Sequence, residues 1–298
     1  MIVTLTGANG LIGKALNGSL VAGGQNVRPL GRRAAVPDGW SWDALVAEPP
    51  AGALSGANAV VHLLGEPIAQ RWTAGAWRRI VASRVEGTRR LVETLARLEH
   101  RPSVLVSASA TGIYGDRGDD MLTETSGPGG GRVASLCQAW EREAMRAEDL
   151  GIRVVLLRTG LVIAPRGGFL ARMLPAFRMG LGGPLGDGRH WMSWIHLADL
   201  IELIRFALEN NGVAGPLNAT APEPVENREF TRILGETLRR PAVLPVPRLA
   251  LRLLFGEMAG ILTDSQRVLP EKALHHGFRF AFSDLETALD DVLKRPRG

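Results

Sequence analysis

The chain has 298 residues, is 45% hydrophobic, and carries a net charge of +5 drawn almost wholly from arginine. That is enough to bury one large core, or one core plus an appendage. The basic residues are scattered through the chain, which points away from a nucleic-acid face and leaves small anionic molecules as partners.

One cysteine, Cys137, excludes an internal disulfide framework and fits a reducing compartment. No charged leader precedes the first apolar run, and Arg158 breaks the run from Val154 to Val162. The expectation is therefore a cytoplasmic monomer or homodimer with no signal peptide, no transmembrane segment and no membrane contact.

The chain opens with a strand, Ile2–Thr6, that runs straight into Gly7-Ala-Asn9-Gly10-Leu11-Ile12-Gly13. With 36 glycines in the chain a lone glycine motif is weak, but its context is specific. Apolar residues precede it, and Leu11, Ile12, Ala15, Leu16 and Leu20 follow at helical spacing until Gly23-Gly24. Glycines between a buried strand and a helix allow a tight turn, close approach of backbone N–H groups to a pyrophosphate, and close helix packing. The ligand this predicts is a dinucleotide at the helix N-terminus.

Further strands are predicted at Asn26–Leu30, Ala59–Leu64, Val104–Ala108 and Arg153–Leu157, with helices over Ala74–Leu98 and Val133–Leu150 between them. The alternation predicts an α/β fold with a doubly wound, Rossmann-type parallel sheet. The second strand ends in Leu30-Gly31-Arg32-Arg33, without a carboxylate to grip a ribose 2′-hydroxyl. Arg32 can clamp a 2′-phosphate instead, so NADP(H) is expected over NAD(H).

Gly127–Gly131 and Gly180–Gly188 read as loops bordering a crevice, or as plain surface connections. His196, three residues before Asp199, reads first as a capping or packing residue and second as a crevice wall. Beyond Ala221-Pro-Glu-Pro224 the pattern turns to short helical pieces. An apolar helix is predicted after Pro245-Val-Pro247, and alternating Phe278, Phe280 and Phe282 predict a half-buried strand. Ser283 with Glu286 predicts a capping box for a final helix through Leu293. The domains expected are residues 1–222, with 165–190 lending a substrate loop, and a small, mostly helical substrate domain over 223–298.

Val60-Val-His-Leu-Leu-Gly65-Glu66, Ser107-Ala-Ser-Ala-Thr-Gly-Ile-Tyr114-Gly-Asp and Leu157-Arg-Thr-Gly160 join the glycine loop to form a wider pattern. With them the chain resembles the extended short-chain dehydrogenases/reductases. It is more closely similar to their atypical, epimerase-like subfamily with a C-terminal domain of unknown function. Arg71-Trp72, Ser83-Arg84, Trp140-Glu141, Met192-Ser-Trp-Ile-His196, Asn218-Ala-Thr-Ala-Pro222 and Leu244-Pro-Val-Pro247 carry the closer match.

With the resemblance, the expected cofactor contacts are Gly7, Asn9, Gly10, Leu11, Ile12 and Gly13, with Gly31 and Arg32. Leu63, Leu64, Gly65, Glu66, Arg84, Ser107 and Val133 complete the set. Arg84 either pairs with Glu66 or reaches the cofactor. The resemblance also implies a Tyr-x-x-x-Lys acid/base pair, which this chain lacks. Its only tyrosine, Tyr114, is followed four residues on by Gly118, and no lysine lies between Lys14 and Lys272.

Anchored on Trp140-Glu141, Val133 and Cys137 occupy the pair's positions, and anchored on Tyr114, Ala110 replaces the accompanying Ser or Thr. The proton donors left are Tyr114, Thr111 and Glu66, in that order. Glu66 could equally touch a ribose or be structural. A phenol stays protonated near neutrality, so Tyr114 would favour a reductase. The sequence thus predicts an NADP(H)-binding oxidoreductase with no metal, acting on an unidentified small molecule; the alternative is a noncatalytic NADP(H) sensor or interaction protein.

Overall fold

The computed structural model describes residues 1–32 and 39–294. Its centre is a sheet of six parallel strands. In spatial order these are Gly215–Ala219, Arg153–Thr159, Val104–Ala110, Ala59–His62, Ile2–Thr6 and Asn26–Leu30. The chain starts near one side, steps outward to Asn26–Leu30, then crosses back to Ala59–His62. The order therefore reverses next to Ile2–Thr6, where an open α/β sheet leaves a crevice at its carboxyl edge.

Alternation along the strands supplies two cores. Val3, Leu5, Val61, Val106 and Leu157 face the helices Leu11–Ala22 and Leu197–Glu209. Val60, Leu105, Val154 and Leu156 face Ala74–Ala96 and the end of Arg132–Met145. Each face of the sheet is thus covered, as its near-continuous apolar strands require. A third core joins Leu170 and Phe177, Trp194, Phe230 and Leu234, and Leu285 to Val292, from helices Gly168–Arg178, Asn227–Leu238 and Leu285–Lys294.

Several expected elements change at their ends. The Ala59 strand stops at His62, those from Val104 and Arg153 run on to Ala110 and Thr159, and the helix from Ala74 ends at Ala96. The helix expected to reach Leu150 ends at Met145, and a 3₁₀ turn over Glu148–Leu150 leads to Gly151 at φ 77. The strand expected through Phe278, Phe280 and Phe282 does not form. Its alternation reflects packing, Phe278 on Phe206 and Phe282 on His196, while the Ala281 and Phe282 amides donate to the Asp199 carboxylate at 2.8 and 2.9 Å. The last helix is capped by Asp284, whose Oδ1 accepts from the Thr287 amide at 2.8 Å, rather than by Ser283.

Candidate functional site

The glycine loop lies at the crevice, and its three glycines do different work. Gly7 has φ +70, and a Cβ there would stand 2.8 Å from the Leu63 carbonyl. At Gly13 a Cβ would meet the Gly7 carbonyl oxygen at 2.2 Å. Both glycines permit backbone to pass against backbone. Gly10 would meet only the Gly7 oxygen, at 3.3 Å, so its missing side chain keeps space open in front of the helix instead. Helix Leu11–Ala22 has no side-chain cap at Gly10 and no acidic residue in its first turn. Its first N–H groups and the positive end of its dipole are left to an anion.

The cleft in front of this turn has a volume of about 300 Å³. One wall is the glycine loop with Leu63; the other is Gly160, Leu161, Val162, Gly168 and Phe169. Gly168 and Phe169 fall in the 165–190 stretch that the sequence assigned to a substrate loop, whereas Leu161 and Val162 were missed, although Gly160 ended a quoted motif. At Gly160 a Cβ would stand 2.5 Å from the Ser193 carbonyl oxygen, so the glycine is needed where two backbones touch. The Gly7 amide donates to Leu30 O at 2.9 Å, which ties the loop to the end of the second strand. Gly31 is buried there and Arg32 is exposed, as is Asn9; Arg33 lies outside the described residues.

Beyond Leu63 and Leu64, Gly65 sits over Arg84, whose guanidinium carbon would be 3.1 Å from an added Cβ. Arg84 does not pair with the Glu66 carboxylate. Its Nη1 donates to the Glu66 carbonyl at 2.9 Å and to Ile80 O at 3.3 Å, and its guanidinium lies 5.2 Å from the Trp140 ring centroid. The Glu66 amide donates to Ser83 Oγ at 2.9 Å, and its carboxylate stands 3.7 Å from Arg79 Nε. Ser107 is fully buried, and Val133 closes over Gly112.

Tyr114 is not on a crevice wall. It is 0% exposed, and its hydroxyl donates to Asn218 Oδ1 at 2.7 Å, with Thr123 O 3.0 Å away as a second acceptor for the same proton, while accepting from Arg158 Nη1 at 2.9 Å. Arg158 also makes two bonds of 2.9 Å to Glu141, one to each carboxylate oxygen, and Ser109 Oγ donates to Glu141 Oε1 at 2.6 Å. Asn218 continues the chain, its Nδ2 donating to Leu269 O and its amide to Glu124 Oε1, both at 2.9 Å. Burial raises the Tyr114 pKa, opposed by Arg158.

The two positions where the resemblance would put a tyrosine and a lysine offer no usable proton. Val133 has none, and burial pushes the Cys137 thiol up to about 12. Thr111, buried, opens the 3₁₀ turn Thr111–Tyr114. His196 caps its helix, its Nδ1 accepting from the Ala198 amide at 3.2 Å, as the plainer reading of the sequence had it. The Gly127–Gly131 loop is largely exposed and touches the fold at Gly129, where a Cβ would lie 1.8 Å from the Tyr114 carbonyl oxygen. Among the described residues, no three His, Cys, Asp or Glu side chains gather as a metal-binding group.

A six-stranded parallel sheet covered on both faces, with a glycine turn and an uncapped helix at its switch point, defines a nucleotide-binding α/β protein of Rossmann type. Residues 3–219 match the model of the NAD dependent epimerase/dehydratase family, and residues 246–292 match a domain of unknown function, DUF1731. The chain belongs to the NAD dependent epimerase/dehydratase family.

It is 39% identical over 303 residues to the epimerase family protein SDR39U1 homolog, chloroplastic, of Arabidopsis thaliana, covering 99% of this chain and 87% of that one. Among solved structures it is similar to the human epimerase family protein SDR39U1 with NADPH, at 32% identity and a TM-score of 0.91, covering 99% of this chain and 100% of that one. It is also similar to the nucleoside-diphosphate sugar epimerase from Corynebacterium glutamicum, at 34% identity and a TM-score of 0.79, over 98% of this chain and 58% of that one.

Proposed function

We propose that this chain binds NADP(H) and works as an epimerase-class oxidoreductase that reduces a carbonyl on a small, anionic molecule. The observation that carries the reading is the cradle at Gly7–Gly13, which fits a pyrophosphate. Two of its glycines stand where a Cβ would strike backbone, the third keeps the space in front clear, and the helix behind has no cap of its own. The human relative with NADPH supports the choice of cofactor.

The amides of Leu11, Ile12 and Gly13 would hold the pyrophosphate, and Arg32 the 2′-phosphate. Leu63 to Glu66, stiffened by Arg84 and Ser83, would line the path towards the nicotinamide. A bound nicotinamide would supply the hydride. Residues 1–222 would hold the cofactor, and 165–190 with 223–298 the substrate; the third core, which joins those two segments, supports that division.

The proton would come from Thr111 or Glu66, because the Tyr114 hydroxyl is committed to Arg158 and Asn218. We place the protein in the cytoplasm as a monomer or homodimer. Single-turnover oxidation of bound NADPH against a panel of carbonyl compounds and nucleotide sugars tests the reading. Oxidation by any member supports it.

A second reading, cofactor binding without turnover, is favoured by Val133 and by Cys137 with its thiol held near 12. Tight NADPH binding with no oxidation across the panel would select it.

A further inference from the structure

Helix Arg248–Phe255 is turned inside out. A surface helix ordinarily packs its leucines inward, yet here only Leu251 is buried, while Leu249, Leu253 and Leu254 are 69%, 72% and 65% exposed. The apolar surface continues onto the segment before it. Val243 is 74% exposed and Leu244 48%, and the Leu244 amide donates to Gly182 O at 3.1 Å, which brings the exposed Leu181 and Met179 alongside.

The exposed charges bordering this face that lack an ion-pair partner are arginines. Arg178, Arg239, Arg240 and Arg252 are exposed, and among the described residues none of them has an ion pair. Three exposed carboxylates nearby are paired, Asp187 with Arg248 at 3.7 Å, Glu236 with Arg232 at 2.6 Å, and Glu257 with Arg132, while Asp264, near Arg248, is half-buried. Arg239 and Arg240 also rim a groove of about 720 Å³ that shares Val243 with the apolar face. Arg239 ends helix Asn227–Leu238 at φ 54, a backbone conformation that glycine takes without steric cost. An arginine there gives up local ease for a charge on this surface.

We propose that this face docks the protein on the surface of an anionic phospholipid bilayer. The leucines would enter the headgroup and acyl boundary, and the four arginines would meet lipid phosphates. At eight residues the helix lies on a membrane and cannot span one. A second copy fits less well, because a two-fold interface would set this arginine-rimmed patch against the same patch and bring unpaired positive charge to both sides. The sequence alone had suggested no membrane contact, since no charged leader precedes the first apolar run and Arg158 breaks the run from Val154 to Val162.

Co-sedimentation of the whole protein with phosphatidylglycerol/phosphatidylcholine vesicles, against phosphatidylcholine alone, tests the proposal. We expect at least about tenfold stronger partition onto the anionic vesicles, weakening as salt is added. Leu249→Asp with Leu253→Asp should abolish that partition and leave NADPH binding and thermal midpoint unchanged. Arg239→Gly should raise the thermal midpoint while lowering vesicle binding, a combination that a purely structural arginine would not give. Equal partition onto both vesicles, or none onto either, overturns the proposal. So does a dimer or a complex with an acidic protein that the leucine variant disrupts while vesicles stay bare.

Discussion

The two halves of the sheet's carboxyl edge treat polarity in opposite ways. Around Ile2–Thr6, Asn26–Leu30 and Ala59–His62 the backbone is exposed to the cleft, and the helix amides behind Gly10 await an anion. Around Val104–Ala110, Arg153–Thr159 and Gly215–Ala219 most polar groups are side chains that satisfy one another through Glu141, Arg158, Tyr114 and Asn218, and the buried Ser107 hydroxyl alone is left without a partner among them. A binding site and a structural lock can therefore share one edge of a sheet. They are told apart by whether donors are left over, which residue type alone does not reveal.

The comparison breaks most sharply at Glu141. Arg158 and Glu141 are 7% and 8% exposed, so Glu141→Leu strands a buried guanidinium and should cost about 3–5 kcal/mol in urea unfolding. NADPH affinity should stay within about threefold, because the lock is separate from the cleft. Gly10→Val makes the converse change. Its side chain enters the space in front of the helix and should weaken NADPH binding by about a hundredfold or more, with the fold intact. Two variants that each lost both properties would show the halves to be one unit.

His62 gives the cofactor half a polar lock of its own. It is fully buried, 2.7 Å from Thr6 Oγ1 and 3.1 Å from Thr88 Oγ1, and desolvation lowers its pKa from 6.5 to about 4. Between those values the unfolded chain binds the proton and the folded one does not. Stability is thus full above pH 6.5 and falls with pH towards 4, by about 2 kcal/mol at pH 5. Urea unfolding at pH 7.5 and 5 reads the slope, and His62→Gln should flatten it; an unchanged slope in the variant would assign it to other groups. Arg32→Ala carries a smaller effect, a loss of about ten- to a hundredfold in NADPH affinity with NADH affinity unmoved. Equal losses for both nucleotides would place Arg32 away from the 2′-phosphate.

Much of the fold was legible because its signals are local. Ile2–Thr6 and Asn26–Leu30 were bounded correctly by apolar runs and glycines. Gly215–Ala219 was not anticipated, because Gly215 and Pro216 speak against a strand, and only its position at the sheet's edge permits them. At the site, the glycine loop announced itself by spacing within one turn. The wall from Gly160 to Val162 did not, being set by the backbone contact of Gly160 with Ser193 far along the chain. Tyr114 misled for a related reason. A strand end followed by a lone tyrosine reads as a crevice residue until Arg158 and Asn218, from two other strands, claim its hydroxyl.

Tyr114→Phe is the smallest change and the one that best separates lock from site. The variant keeps the ring in its core of Ile113, Leu122, Cys137 and Val268 and removes only the hydroxyl. Arg158 Nη1, Asn218 Oδ1 and Thr123 O each lose a partner in a buried setting, so unfolding should cost about 1–3 kcal/mol less. The sequence, read with Tyr114 at the crevice, called for a rate of hydride transfer lower by about a hundredfold. The geometry calls for NADPH affinity and transfer rate each within about threefold of the parent, because the phenol faces protein on every side. Should the rate fall a hundredfold while the unfolding midpoint holds, Tyr114 is the proton donor and its network positions an acid; a lower midpoint with an unchanged rate leaves Thr111 and Glu66 as the donors to test.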